Sequence, residues 1–359
     1  MEPIHLKLRV EAGVDLPGEG VLHLAADVWA PPGLDAGAAL TALVCLPGGG
    51  MTRRYYDLPV ESAPQGSPDE QHVSGRAPAP APAPTLRGAV SPARDFDASF
   101  SFARQMVARG FIVIAIDHLG IGESDRPTDG YALTADVVAA ANGNATAQIV
   151  AQLREGRLTP ALPPLSGLVT LGVGHSMGAM MTLLQQALRR QHAGIALLGF
   201  STRGLPEYLP PQVRELAQDT TAVRAKMQKL ARTMFVQPYP VIKPSPQSGA
   251  IYSGKGADPR GAAAIKQIAD ALLPVCAFMS MVPGNVLPEA KRIDVPVFLG
   301  LGELDMAGPP HEIPASFPAS RDVTLHVIRG AGHSHFLFPS RGELFDRLAA
   351  WARTVVAAR

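Results

Sequence analysis

The stretch Leu168–Leu188, LVTLGVGHSMGAMMTLLQQAL, decides how this chain is read. Leu168–Val173 is an apolar run of strand length, and Met177, Met180, Met181, Leu184 and Leu188 recur on one face of a following helix. Arg189 and Arg190 then suit that helix's C-terminus. Between strand and helix stands Gly174-His175-Ser176-Met177-Gly178. A G-x-S-x-G match alone is a weak signal in a chain with 35 glycines. The strand–turn–helix context gives it weight, because a serine on so sharp a turn sits on strained backbone and tolerates only small neighbours. Its hydroxyl would lie at a helix N-terminus, where the Met177 N–H can stabilise a developing oxyanion.

Outward from this turn, short apolar runs recur at Leu43–Leu46, Phe111–Ile116, Ile195–Phe200, Val297–Leu301 and Val323–Ile328. They have the pattern of strands covered on both faces. Helical patterns fall between them: Phe102, Ala103, Met106 and Val107 share a face, and Leu344, Leu348, Trp351 and Val355 form the stripe of a last helix. Ser340 and Glu343 have capping-box spacing at its start. Alternation of strands and helices predicts an α/β fold with a mostly parallel central sheet flanked by helices. At the N-terminus, alternating Ile4–Val10 and Val21–Trp29 predict an antiparallel hairpin across Gly18–Gly20.

Two stretches break the alternation. Ser62–Arg94 contains a strict Ala-Pro repeat at Ala77–Pro84 and reads as a mobile, extended surface insertion. Thr202–Arg292 carries helical patterns at Val213–Phe235 and Gly261–Leu273, the latter led in by Asp258-Pro259. It is too long for an ordinary connection and reads as an inserted helical cap. The expected organisation is therefore a core of residues 1–201 and 293–359, with residues 202–292 as the cap.

A serine is a poor nucleophile without a base, and ten histidines are available. His333 follows the last strand within Gly330-Ala331-Gly332-His333, which places it at the same sheet edge as Ser176. His335 is the runner-up. His175 and His118 read as lining or packing groups, and His311 and His326 as structural or exposed. The base needs an acid to fix its tautomer. Asp305, just past Val297–Leu301, is the candidate, with Glu303 as the alternative. A second oxyanion donor is expected from Leu46-Pro47-Gly48-Gly49-Gly50-Met51, with Gly49 or Gly50 as donor. Asp117–Ser124, DHLGIGES, is GxGxS rather than GxGxxG and reads as a loop-shaping element, not a dinucleotide site.

Taken together, PGGG at Pro47–Gly50, DHLGIGES at Asp117–Ser124, GHSMG at Gly174–Gly178, GELD at Gly302–Asp305 and GAGH at Gly330–His333 resemble the α/β-hydrolase superfamily. They stand in the order that superfamily uses: oxyanion loop, nucleophile, acid, histidine. The resemblance implies an α/β-hydrolase fold and the catalytic set Ser176, Asp305 and His333, with Met177 and Gly49 or Gly50 as the oxyanion hole. Relatives with an aspartate at the elbow are disfavoured by Ser176. Pro47-Gly48 stands where His-Gly is common, and the Ala-Pro insertion lies outside the pattern.

The expected function is a serine hydrolase acting on carboxylic esters, a moderately hydrophobic ester or lactone, with no cofactor and no metal. Met227, Met234, Phe235, Phe278, Met279 and Met281 are candidates for a deformable apolar pocket wall. A thioesterase or acyltransferase, a carbon–carbon bond hydrolase, a cofactor-free perhydrolase and a non-catalytic ligand-binding fold are the alternatives. Composition bounds these choices. Lys plus Arg number 32 against 31 Asp plus Glu, so the chain lacks the basic excess of a nucleic-acid binder. No apolar run reaches the roughly 18 residues of a membrane span. MEPIHLKLRVEAG has no leader pattern, and the expectation is a soluble cytoplasmic protein. Cys45 and Cys276 lie far from any metal-ligand spacing and are expected as free, packed thiols.

Overall fold

The computed structural model describes residues 2–36, 40–62, 96–216, 219–242, 249 and 254–358. Eight strands form one sheet: β1 (Ile4–Glu11), β2 (His23–Ala30), β3 (Thr41–Leu46), β4 (Ile112–Ile116), β5 (Val169–His175), β6 (Ile195–Leu198), β7 (Val297–Gly302) and β8 (Val323–Ile328). Their order is β1-β2-β4-β3-β5-β6-β7-β8. β2 runs antiparallel to β1 and β4, and every other pairing is parallel. The strand–helix alternation predicts this mostly parallel sheet, and the order is the α/β-hydrolase arrangement that the resemblance implies.

Period-2 alternation sorts the strand residues into two cores. Ala42, Val44 and Leu46 with Ile112, Ile114 and Ile116 face one layer, while Leu43, Cys45, Val113 and Ala115 face the other. Helix α1 (Phe102–Ala108) and a long C-terminal helix cover the second face. The first face holds α2 (Ala135–Arg154) and α3 (Met177–Arg189). Cys45 and Cys276 are both free and buried.

Several expectations need correction. α2 was not legible: Asn142-Gly143-Asn144 reads as a turn signal and the alanines blur its stripe. Here Asn142 is buried, and the Asn144 amide donates to the Ala12 and Gly13 carbonyls, so tertiary bonds absorb the polar groups. The Val213–Phe235 pattern is three short helices, α4 (Pro211–Leu216), α5 (Thr220–Ala225) and α6 (Met227–Met234), with Asp219 capping α5. The Gly261–Leu273 pattern yields α7 (Pro259–Gln267), begun as expected by the Asp258 cap and Pro259, but stopping before Leu273. Two helices beyond it were not foreseen, α8 (Pro274–Met281) and α9 (Leu287–Ala290), both opened by proline in the first turn.

The last helix, α10 (Arg341–Ala357), begins at Ser340, but that side chain makes no cap bond because its backbone is already helical. β8 is an edge strand whose residues are mostly half-buried, not covered on both faces. The expectation for Ser62–Arg94 lies outside the described residues, apart from Ser62 itself. No described helix is long and apolar enough to cross a membrane.

Candidate active site

β5, β7 and β8 are parallel, so their C-terminal ends share one rim, and each delivers one polar side chain to it. Ser176 follows β5 directly and caps α3 with φ 55° and ψ −121°, a conformation that costs a non-glycine residue about 1–3 kcal/mol. The turn closes because its flanks are glycines. A Cβ on Gly178 would stand 2.1 Å from the Leu46 carbonyl oxygen, and one on Gly174 would stand 2.3 Å from that of Gly178. Both obstacles are backbone and cannot yield.

His333, on the loop after β8, places Nε2 2.9 Å from Ser176 Oγ. Its Nδ1 lies 2.8 Å from Asp305 Oδ1, on the turn after β7. The Ala307 N–H donates to the same oxygen at 3.0 Å. Burial alone would push the Asp305 carboxyl up, but the facing His333 ring and the hydrogen bonds from His333 and His335 outweigh it, holding it well below the usual carboxylate range. Asp305 is therefore ionised across the neutral range and accepts, which assigns the proton on His333 to Nδ1 and leaves Nε2 free to accept from the serine hydroxyl. Glu303, the alternative acid, is exposed and instead accepts the Gly330 N–H at 2.9 Å.

Other histidines hold the surroundings. His175 is fully buried, donates from Nε2 to the His333 carbonyl at 2.8 Å, and stacks on Tyr55. Burial and the neighbouring His333 and His335 keep it neutral, well below its ordinary value. His118 is also depressed by burial. It bonds the Pro47 carbonyl through Nε2 at 2.9 Å and faces Asn142 through Nδ1 at 3.0 Å, so its Nε2 carries the proton and fixes the glycine loop. That loop is pinned from its far side by Asp270 N donating to the Gly50 carbonyl at 2.9 Å and Thr52 N to Ile268 at 3.1 Å. Gly49 lies against Met177, the place of its Cβ being 3.6 Å from the Met177 sulfur. His311 is exposed and His326 half-buried, as expected.

One participant escaped the sequence reading, and the runner-up base stands elsewhere than expected. Gly199, immediately past β6 at φ 60°, lies beneath the pair: its Cβ would stand 3.1 Å from His333 Nδ1 and 3.2 Å from Asp305 Oδ2. A strand end without a side chain was its only signal. His335 sits on Asp305, not on Ser176, with Nε2 3.0 Å from Oδ2.

The cleft beside Ser176 is small, about 20 Å³, and partly open to solvent. Met177, Phe200, Leu205 and Ala307 give it apolar walls, and Ser201 and Ser280 add hydroxyls. The stretch 202–292 thus reaches the cleft through Gly204, Leu205 and Ser280. None of Met227, Met234, Phe235, Phe278, Met279 and Met281 lines it. They pack into or against the first core, which corrects the expected pocket wall. Among the described residues no group of His, Cys, Asp and Glu has the arrangement of a metal site.

DHLGIGES serves the loop architecture. Asp117 accepts the Arg53 N–H at 2.6 Å and pairs with the Arg53 guanidinium, while Ser124 Oγ donates to the Asp117 carbonyl at 2.9 Å. Gly122 N–H donates to Asp270 at 2.7 Å, tying this loop to the segment that pins the glycine loop.

Comparison with known proteins agrees with this architecture. The chain resembles a hypothetical protein from Pseudomonas aeruginosa (TM-score 0.58, 16% identity, 98% of this chain and 94% of that one). It also resembles a thermophilic esterase from Thermogutta terrifontis (0.54, 17%, 97% and 99%). A third likeness is to a monoacylglycerol lipase from Paleococcus ferrophilus (0.56, 18%, 94% and 99%). At such identities the likeness is one of fold. No curated protein matches. Residues 43–346 match the model of the alpha/beta hydrolase family. With the match spanning most of its length and the sheet order in place, the chain belongs to the alpha/beta hydrolase family.

Proposed function

We propose that the protein is a serine hydrolase that cleaves carboxylic ester or lactone bonds with a compact acyl group. The observation that carries this reading is the unbroken chain of hydrogen-bond distances from Ser176 Oγ through His333 to Asp305, 2.9 and 2.8 Å. Ser176 attacks the acyl carbon as His333 Nε2 takes the hydroxyl proton. Asp305 stabilises the resulting imidazolium without accepting the proton. The Met177 and Gly49 N–H groups receive the oxyanion. Gly49 is chosen over Gly50 because it abuts Met177, whose N–H is the other donor. His333 then protonates the leaving group, and water, activated by the same imidazole, releases the acyl chain.

The small cleft supports compact acyl groups, and its mixed lining supports a substrate of moderate hydrophobicity. The test is hydrolysis of p-nitrophenyl acetate, butyrate and octanoate by the wild type and by Ser176→Ala. The reading expects turnover that falls with acyl length and vanishes in the variant. Equal rates for the two proteins would refute it.

A further inference from the structure

His335 is a buried imidazole with an unusual set of neighbours. Its side chain is fully enclosed, Nε2 lies 3.0 Å from Asp305 Oδ2, and Nδ1 has no hydrogen-bond partner among the described residues. The Gly302 N–H also points at Nε2, at 3.2 Å. Nε2 cannot donate to the carboxylate and accept from Gly302 at once. With the proton on Nδ1, a buried N–H would lack an acceptor and a lone pair would face an ionised carboxylate. With the proton on Nε2, the carboxylate gains a charge-assisted bond, while the Gly302 N–H and the Nδ1 lone pair go unmet. The second arrangement avoids the larger penalty, a lone pair set against an ionised carboxylate.

The two oxygens of Asp305 are served differently. Oδ1 receives both His333 Nδ1 and the Ala307 N–H. Oδ2 receives His335 alone among the described residues. A buried carboxylate held at one oxygen is free to tilt about that contact and is easier to protonate. Either change weakens its grip on His333.

We infer that His335 is a positioning residue: its Nε2–H clamps Oδ2 of Asp305, so that the carboxylate stays ionised and aligned on His333 during attack by Ser176. This rests on the reading of Ser176, His333 and Asp305 given above. The role explains why two histidines two residues apart both turn inward. His335 opens a short 3-10 turn, His335–Leu337, and its own N–H bonds the His333 carbonyl at 3.1 Å, so the turn aims both rings at one acid.

The test uses the rate at which a fluorophosphonate labels Ser176, which requires no knowledge of the natural substrate. His335→Phe keeps a ring but removes the donor, and should slow labelling by about tenfold or more, the scale of one charge-assisted hydrogen bond. His335→Gln places an amide N–H near the position of Nε2 and should recover to within about threefold of wild type. His335→Asn, too short to reach, should stay as slow as Phe. In an Asp305→Asn background the Phe substitution should add little, because the clamped group is gone. Where Phe prevents folding, the Gln and Asn pair carries the same comparison at matched thermal stability. Phe labelled at the wild-type rate, or Gln as slow as Asn, would overturn the clamp while leaving the Ser176 reading intact. A wild type that is not labelled at Ser176 would overturn that reading, and the clamp with it.

Discussion

Two clusters of buried charge lie under this fold, and they are built to opposite ends. At the antiparallel side of the sheet, the Arg53 guanidinium pairs with Asp27 at 2.8 Å and with Asp117 and Glu123. Its carboxylates hold Arg53 charged: although burial lowers its pKa, the facing Asp117, Glu123 and Asp27 raise it above the ordinary guanidinium value. Burial pushes Asp117 up, offset in part by Arg53. His5 Nε2 also stands 3.3 Å from Asp27 there, but none of these groups lines the cleft at Ser176. At the other rim, one carboxylate faces two imidazoles, and the path from Asp305 through His333 ends on a hydroxyl at the cleft. Fixed charge pairs bind loops together. A carboxylate whose imidazole also reaches a hydroxyl has a path along which a proton can move.

The comparison is broken or sharpened by substitution on each side. The largest effect is expected for Ser176→Ala, which should lower esterase turnover by about 10⁴-fold or more while the folded content by circular dichroism is unchanged. Asp305→Asn should follow, with turnover down by about 10²–10⁴-fold, measured as kcat on the best ester. Arg53→Met should do the reverse. It leaves Asp27 and Asp117 buried without their partner and should cost about 3–5 kcal/mol in urea unfolding, with labelling of Ser176 per folded molecule retained. A loss of labelling without a loss of stability would erase the distinction between the clusters.

Smaller effects test the buried neutral groups and the strained turn. Burial depresses His192 to about 4. The unfolded chain, with an ordinary imidazole near 6.5, binds more protons than the native one between those values, so native stability rises with pH in that window and is lost as pH falls. This histidine contributes up to about 3 kcal/mol to that loss, and His192→Gln should flatten the Tm profile between about pH 6.5 and 4. Ser176→Gly should raise stability by about 1 kcal/mol, read as a Tm gain, because glycine adopts φ 55° without a Cβ clash.

What the sequence disclosed follows the same division. Features set by local physics were legible: the elbow at Ser176 needs Gly174 against the start of its own helix, and the apolar runs of β3, β4, β5 and β7 lie within a residue or two of their expected bounds. His333 and Asp305 were legible because strand ends in a parallel sheet share a rim. Features decided by tertiary contact were not. α2 carries its polar groups inward, to His118 and the 12–13 backbone. The helices between residues 202 and 292 are short and interrupted, and they stand because their apolar residues complete the two cores. The role of Gly199 is visible only once His333 and Asp305 lie against it, and that of His335 only once Asp305 has a second oxygen to hold.

The central claim is that Ser176 is an activated nucleophile, and the most direct measurement is mass spectrometry of the protein after treatment with a fluorophosphonate. The account expects one adduct per chain, mapped to the peptide bearing Ser176, absent from Ser176→Ala and strongly reduced in His333→Ala. An unmodified wild type, or an adduct that persists in Ser176→Ala, would contradict it.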